Sequence, residues 1–187
     1  MTTVLEHTRR KLDVETVHHL VATGRIGPEE RVELVDGELL TMPSVGGEHA
    51  GVTAELVRQL IRATGPEPVV VTGTTPLRLD RHNEVRPDVL VLRQGDDDGA
   101  RTATPADTLL VIEVADGTRA FDRGRKAELY ARFGIVEYWV VDLVARQVLI
   151  HRAPEGGAYG EVEMRVDGEL TPAALPEVVL EVATLLP

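Results

Sequence analysis

The chain has no cysteine in its 187 residues, and of its 20 basic residues only Lys11 and Lys126 are lysines. Without cysteine, disulfides, thiolate zinc sites and cysteine nucleophiles are excluded. Aromatic residues make up 3% of the chain, so the core must be built from Val, Leu, Ile and Ala. No apolar run approaches the ~20 residues needed to span a bilayer. The opening residues have no apolar stretch of the kind a secretion signal needs. The cytoplasm is the expected address.

Hydrophobic content of 43% and charged content of 27% are ordinary for a soluble globular protein. The length suits one α/β domain over 1–187, with 1–12 expected as a flexible N-terminal segment. Net charge is −11, which argues against a surface that coats nucleic acid generally, because such binding needs Lys and Arg to neutralise phosphates. Distribution matters more than the sum. Within 119–132, Arg119, Arg123, Arg125, Lys126 and Arg132 stand against Asp122 and Glu128. The positive charge gathers there, although a solvated helix face would look the same.

Periodicity organises the rest. Val14, Val17, Leu20 and Val21 share one side of a helix expected over 13–22. Val32 and Leu34 alternate with polar neighbours, Asp36-Gly37 is a hairpin turn, and 38–40 returns. Val52, Leu56, Leu60 and Ile61 form a helical stripe over 48–63, which Gly65-Pro66 stops. Strands are expected over 69–72, 75–79, 88–92 and 109–114. The last two are nearly continuous apolar runs, as central strands covered on both faces should be. A polar loop spans 94–105, and a helix is expected over 121–133, ended by Gly134. A strand pair over 138–142 and 147–152 follows, then a tail of short strands and turns.

Three residues point to chemistry. Glu113 lies among Val111, Ile112 and Val114 in a buried strand, where a carboxylate is costly unless paired or bound to a metal. Asp88 follows Pro87 at the head of another strand, where it could also serve loop amides. Adjacent strands can bring two such carboxylates together, and a cation must then offset their repulsion. All-oxygen ligands suit Mg²⁺ or Mn²⁺ over zinc. Lys126 would orient water or stabilise the charge that grows on a phosphoryl group. Its plain alternative is a surface pair with Asp122 at i, i+4, worth only ~0.2–0.5 kcal/mol. A compact ammonium in a chain that otherwise uses arginine favours the first role. Tyr130, four residues on, is expected chiefly to pack. Glu33 is expected to face solvent in its hairpin strand, and His49 to be a structural histidine at a helix start. Only proximity to Asp88 would promote either.

In order along the chain stand Arg31-Val32-Glu33-Leu34-Val35-Asp36-Gly37-Glu38, His49, Pro87-Asp88-Val89-Leu90-Val91, Val111-Ile112-Glu113-Val114-Ala115-Asp116, Phe121-Asp122-Arg123-Gly124-Arg125-Lys126, Tyr130-Ala131-Arg132-Phe133-Gly134 and Glu137-Tyr138-Trp139-Val140-Val141-Asp142. This series resembles the Uma-type ("Uma two") family of restriction-endonuclease-like proteins within the PD-(D/E)xK nuclease superfamily. The resemblance implies a mixed central sheet flanked by helices, with Asp88 and Glu113 as metal ligands. Ala115 stands where many of these nucleases carry their lysine, so the resemblance makes Lys126 its replacement. Glu33 and His49 match positions near the site. The expectation is a Mg²⁺- or Mn²⁺-dependent nuclease acting on nucleic acid, DNA first, which approaches over Arg119, Arg123 and Arg125. A homodimer would double that basic surface. The rivals are a nucleic-acid-binding protein without effective catalysis and a protein-interaction or assembly module.

Overall fold

The computed structural model describes residues 10–64, the backbone of 69–72, and residues 75–93 and 102–186. The expected helix stop at 65–66, most of the 94–105 loop and most of the 1–12 segment lie outside the described residues. A helix, α1 (Val14–Ala22), opens the fold with Asp13 as its N-cap, accepting from the Thr16 amide. Such a cap satisfies an amide that the first helical turn leaves unbonded. The hairpin β1 (Val32–Val35) and β2 (Glu38–Thr41) turns through Asp36 (φ 55°) and Gly37 (φ 78°). Two positive φ values give the turn a twist that matches the strands. A Cβ on Gly37 would sit 2.5 Å from Lys11 Cβ, so glycine is also the residue that fits.

The long helix α2 (Gly47–Thr64) follows, then β3 (Val69–Thr72), β4 (Leu77–Asp80), β5 (Asn83–Val85), β6 (Val89–Leu92) and β7 (Thr108–Ala115). Strand β4 replaces the strand expected over 75–79, and the three-residue β5 was not expected. One helix was expected over 121–133. The chain instead forms α3 (Arg119–Phe121), a π-helical turn (Asp122–Lys126) and α4 (Ala127–Arg132). Strands β8 (Glu137–Asp142), β9 (Gln147–Glu155) and β10 (Ala158–Arg165) come next. The ribbon β11 (Glu169–Leu170) with β12 (Leu180–Glu181) precedes α5 (Val182–Leu185).

The six-stranded central sheet has the order β10-β9-β8-β7-β6-β3, antiparallel except where β7 runs parallel to β8. A parallel pair cannot close through a tight turn, so the chain between β7 and β8 must cross over. That crossover is α3, the π turn and α4. One face of the sheet, with Val91, Leu110, Ile112, Val114 and Trp139, packs on Val52, Leu56 and Leu60 of α2 and on the ribbon and α5. The other face, with Leu90, Val111, Tyr138, Val140 and Leu149, packs on α4 and on a smaller sheet of order β2-β1-β5-β4. Helix α1 covers the far side of that smaller sheet, with Val14 and Val17 packed in one cluster with Leu34 of β1. The architecture is a mixed α/β fold with a central sheet between helices, as expected. Among the described residues no helix is long and apolar enough to cross a membrane.

Candidate active site

Alternation along β7 sends Ile112 and Val114 to the α2 face and Glu113 to the other. The β6–β7 register pairs Val89 with Ile112, and one further step sets Asp88 opposite Glu113. The Val114 amide donates to Asp88 Oδ2 at 2.9 Å, which fixes that carboxylate against the neighbouring strand. Glu113, 4% exposed, and Asp88, 8% exposed, line one cleft of about 160 Å³. The two carboxylates expected to converge do so.

The crossover carries Lys126 over Glu113. Its ammonium donates to Glu113 Oε1 at 2.8 Å and to Glu33 Oε1 at 3.1 Å, and lies 3.9 Å from Asp122 Oδ1. The side chain is 1% exposed, so the surface-pair alternative is excluded by burial. The widened π turn contributes both Asp122 and Lys126 to the site. π turns inside helices recur at functional positions. Tyr130, expected chiefly to pack, also donates its hydroxyl to Glu113 Oε1 at 2.9 Å.

Glu33 corrects a residue-level expectation. It is buried at 3% exposure, because β1 is covered on both sides and its polar position faces the central sheet. Its Oε1 accepts from the Arg86 amide and from Lys126, while Oε2 is buried with no hydrogen-bond partner among the described residues. His49, on the first turn of α2, pairs through Nε2 with Asp88 Oδ2 at 3.1 Å. Both residues are therefore promoted by proximity to the site.

The electrostatics follow from three carboxylates on one buried ammonium, with Asp88 beside them paired to His49. Burial pushes Glu113 well above the ordinary carboxylate range; Lys126 opposes the rise, while Asp88, Asp122 and Glu33 add to it. Burial also lifts Asp122, against Lys126 and the Thr118 hydroxyl. Burial alone would lift Asp88, but His49, the Val114 amide and Lys126 outweigh it and hold Asp88 below its usual value. Burial alone would lower Lys126, and the fields of Glu113, Glu33 and Asp122 reverse that and raise it. The ammonium stays charged at any physiological pH.

The three arginines expected to face nucleic acid are engaged within the fold. Arg119 and Arg123 pair with Asp142 at 2.6 and 3.4 Å. Arg125 reaches across to Glu38 at 2.9 Å and to the Val35 carbonyl. Two arginines that the sequence reading did not single out, Arg31 and Arg86, line the cleft itself. Arg31 occupies the position just before β1, two residues from Glu33, and that alternation was the available signal.

A hard divalent cation fits this donor chemistry. The cleft offers oxygen donors and excess negative charge, and Glu33 Oε2 is a buried oxygen still lacking a partner. Among the described residues no three His, Asp or Glu side chains form a ready-made ligand group. An ion here would complete its shell with water or substrate oxygens, as Mg²⁺ ordinarily does.

A family model described as "Uma2: Putative restriction endonuclease" matches residues 14–183, and the chain belongs to that family. Among solved structures, a protein from Anabaena variabilis described as "a putative nuclease belonging to DUF820" superposes with a TM-score of 0.67. It shares 16% identity, over 84% of this chain and 90% of that one. At that identity the likeness bears on the fold. No curated protein matches the chain.

Proposed function

We propose that the chain is a divalent-metal-dependent nuclease that hydrolyses phosphodiester bonds, with DNA as the first substrate to test. One observation carries the reading: three carboxylates, Glu33, Glu113 and Asp122, lie within 4 Å of a single buried ammonium, and a fourth, Asp88, lines the same cleft. That excess of negative charge calls for a cation, and a phosphodiester drawn into the cleft by a cation would lie above the buried Lys126. Membership of a family described as "Putative restriction endonuclease" supports the same reading.

Asp88 and Glu113 would hold Mg²⁺ or Mn²⁺, with Glu33 as a further donor. Bound there, the ion would neutralise phosphoryl charge and acidify water. Lys126 holds Glu113 and Glu33 in place and offers a compact donor to the attacking water or to the phosphoryl oxygens in the transition state. His49 orients Asp88, and Tyr130 fixes the remaining freedom of Glu113. A second reading, a scaffold that binds nucleic acid without effective catalysis, is favoured by the closed pairing of Lys126 with both glutamates.

The test is Mn²⁺ titration together with cleavage of labelled DNA by wild type, Asp88→Asn and Lys126→Arg. Wild type should bind the ion and cut. Asp88→Asn should cut nothing, yet bind DNA without metal better than wild type, because one repelling carboxylate is gone. Lys126→Arg should bind the ion but lose most activity, since the guanidinium is too large and planar for the same position. A wild type that binds Mn²⁺ and DNA but cuts neither strand selects the scaffold reading. Failure to bind either removes both.

A further inference from the structure

Beside the cleft, α2 forms the wall of a second depression of about 520 Å³, lined by Val45, Ala50, Thr53, Ala54 and Val57. It is predominantly apolar. The one charge at its far end, Arg58, is already held by Glu55 at 2.8 Å. The depression is continuous with the cleft, because His49 and Asp88 line both. On the other side of Asp88 stands Arg31, 40% exposed, with its guanidinium 4.0 Å from Asp88 Oδ1. The site therefore has a cation on one flank and an apolar trough on the other, meeting at one carboxylate.

We infer that this site takes an unpaired nucleic-acid strand, with the scissile phosphate in the cleft beside Arg31 and a neighbouring nucleobase in the α2 trough. The inference rests on the nuclease reading above and deepens it. An intact duplex keeps its base faces stacked and shows a protein only sugars, phosphates and base edges, so it has no base face to lay in an apolar trough. Duplex binding also draws on many phosphate contacts, whereas Arg119, Arg123, Arg125 and Arg132 are tied to Asp142, Glu38 and Asp36. An unpaired base does have an apolar face to bury; single strands are commonly held by a backbone cation beside aromatic side chains that cover base faces, and here the aliphatic wall of α2 offers the covering surface. The groups that act on the phosphate are nearly inaccessible, at 1% exposure for Lys126 and 4% for Glu113. A flexible single strand can thread a phosphate down to them more readily than a stiff duplex can.

Cleavage in Mn²⁺ would be measured on a labelled single strand, on its duplex, and on a single strand whose central tract is abasic. Wild type should cut the intact single strand about tenfold faster than the duplex or the abasic tract. Ala54→Gln and Ala54→Glu fill the trough from an exposed position of α2, so folding is undisturbed. Both should lose about tenfold on the intact strand and nothing on the abasic tract. Arg31→Ala should raise KM for the intact strand and flatten its salt dependence. Equal rates on duplex and single strand, or wild-type rates in the Ala54 variants, overturn the inference while leaving the nuclease reading intact. A folded wild type that cuts none of the three substrates overturns the nuclease reading, and this inference falls with it.

Discussion

The two faces of strand β7 solve burial in opposite ways. On the α2 face, Ile112 and Val114 join Val91, Leu110, Trp139 and Leu56 in an apolar cluster. On the other face Glu113 sits one residue away from each, equally deep, and is held by Lys126 and Tyr130. The apolar face contributes through area removed from water, which is non-directional and tolerant of small changes in shape. The polar face is directional, and each of its members would be costly without the others. One strand thus anchors the fold with one set of side chains and presents charge to a cleft with the next.

Removing the central cation should break the polar face most severely. Lys126→Met keeps much of the side-chain volume but leaves Glu113, Glu33 and Asp122 buried without a counter-charge. Loss of one partner from a buried ion cluster costs roughly 3–5 kcal/mol, so a fall of about 10 °C in Tm is expected. Adding Glu113→Gln to Lys126→Met should restore part of that loss. If the single variant unfolds at the wild-type temperature, the cluster is not holding the two layers together.

Tyr130→Phe is a gentler probe of the same face, because it deletes one hydroxyl and leaves the tilted ring contact with Tyr138 in place (centroids 4.8 Å apart). A hydrogen bond to a charged group is worth roughly 1.5–3 kcal/mol. Urea denaturation should show a loss in that range, with cleavage reduced because Glu113 gains freedom. On the opposite face, Ile112→Val removes one methylene and should cost roughly 0.5–1.5 kcal/mol with cleavage unchanged. A cleavage defect in Ile112→Val would mean that the two faces are not mechanically separate.

The same contrast decides what could be read from the sequence. The apolar face announces itself, since the runs in β6, β7 and β8 and the stripe on α2 are periodic, and their elements lie close to where periodicity puts them. Asp88, Glu113 and Lys126 were legible because each breaks a local rule: a carboxylate in an apolar strand, or a lysine in an arginine-using chain. Glu33 broke no rule. Between Val32 and Leu34 it reads as a solvent-facing position, and only the stacking of α1 and the central sheet on both sides of β1 buries it. The π turn has no propensity signature, so one continuous helix was the natural expectation. The hydroxyl of Tyr130 finds Glu113 through tertiary register, which spacing does not encode. The arginines of 119–132 were counted as free charge, because the carboxylates that hold them, Asp36, Glu38 and Asp142, come from distant strands.

The smallest effect concerns a titrating group at the border of the polar face. His151 on β9 is 6% exposed, donates from Nδ1 to the Tyr138 carbonyl at 3.2 Å and stacks on the Tyr138 ring. Burial lowers its pKa below the free value; the carbonyl opposes this, and Arg123 adds a smaller push in the same direction as burial. A histidine whose folded pKa is depressed contributes stability that is fully present above its unfolded value, near 6.5. That contribution is lost as pH falls through the lower folded value, because the unfolded chain then binds the proton more readily. Stability should therefore decline from about pH 6.5 downward, before most carboxylates titrate. His151→Gln should flatten that part of the profile while leaving the neutral-pH Tm little changed. The effect is modest because a neutral imidazole is stably accommodated here, whereas Lys126 cannot shed its proton without exposing three carboxylates to one another. Denaturation midpoints at pH 7, 6 and 5 for both proteins supply the comparison. Parallel curves would show that His151 takes up its proton as readily in the fold as in the unfolded chain, and that the polar character of this face reaches further along β9 than the ion cluster itself.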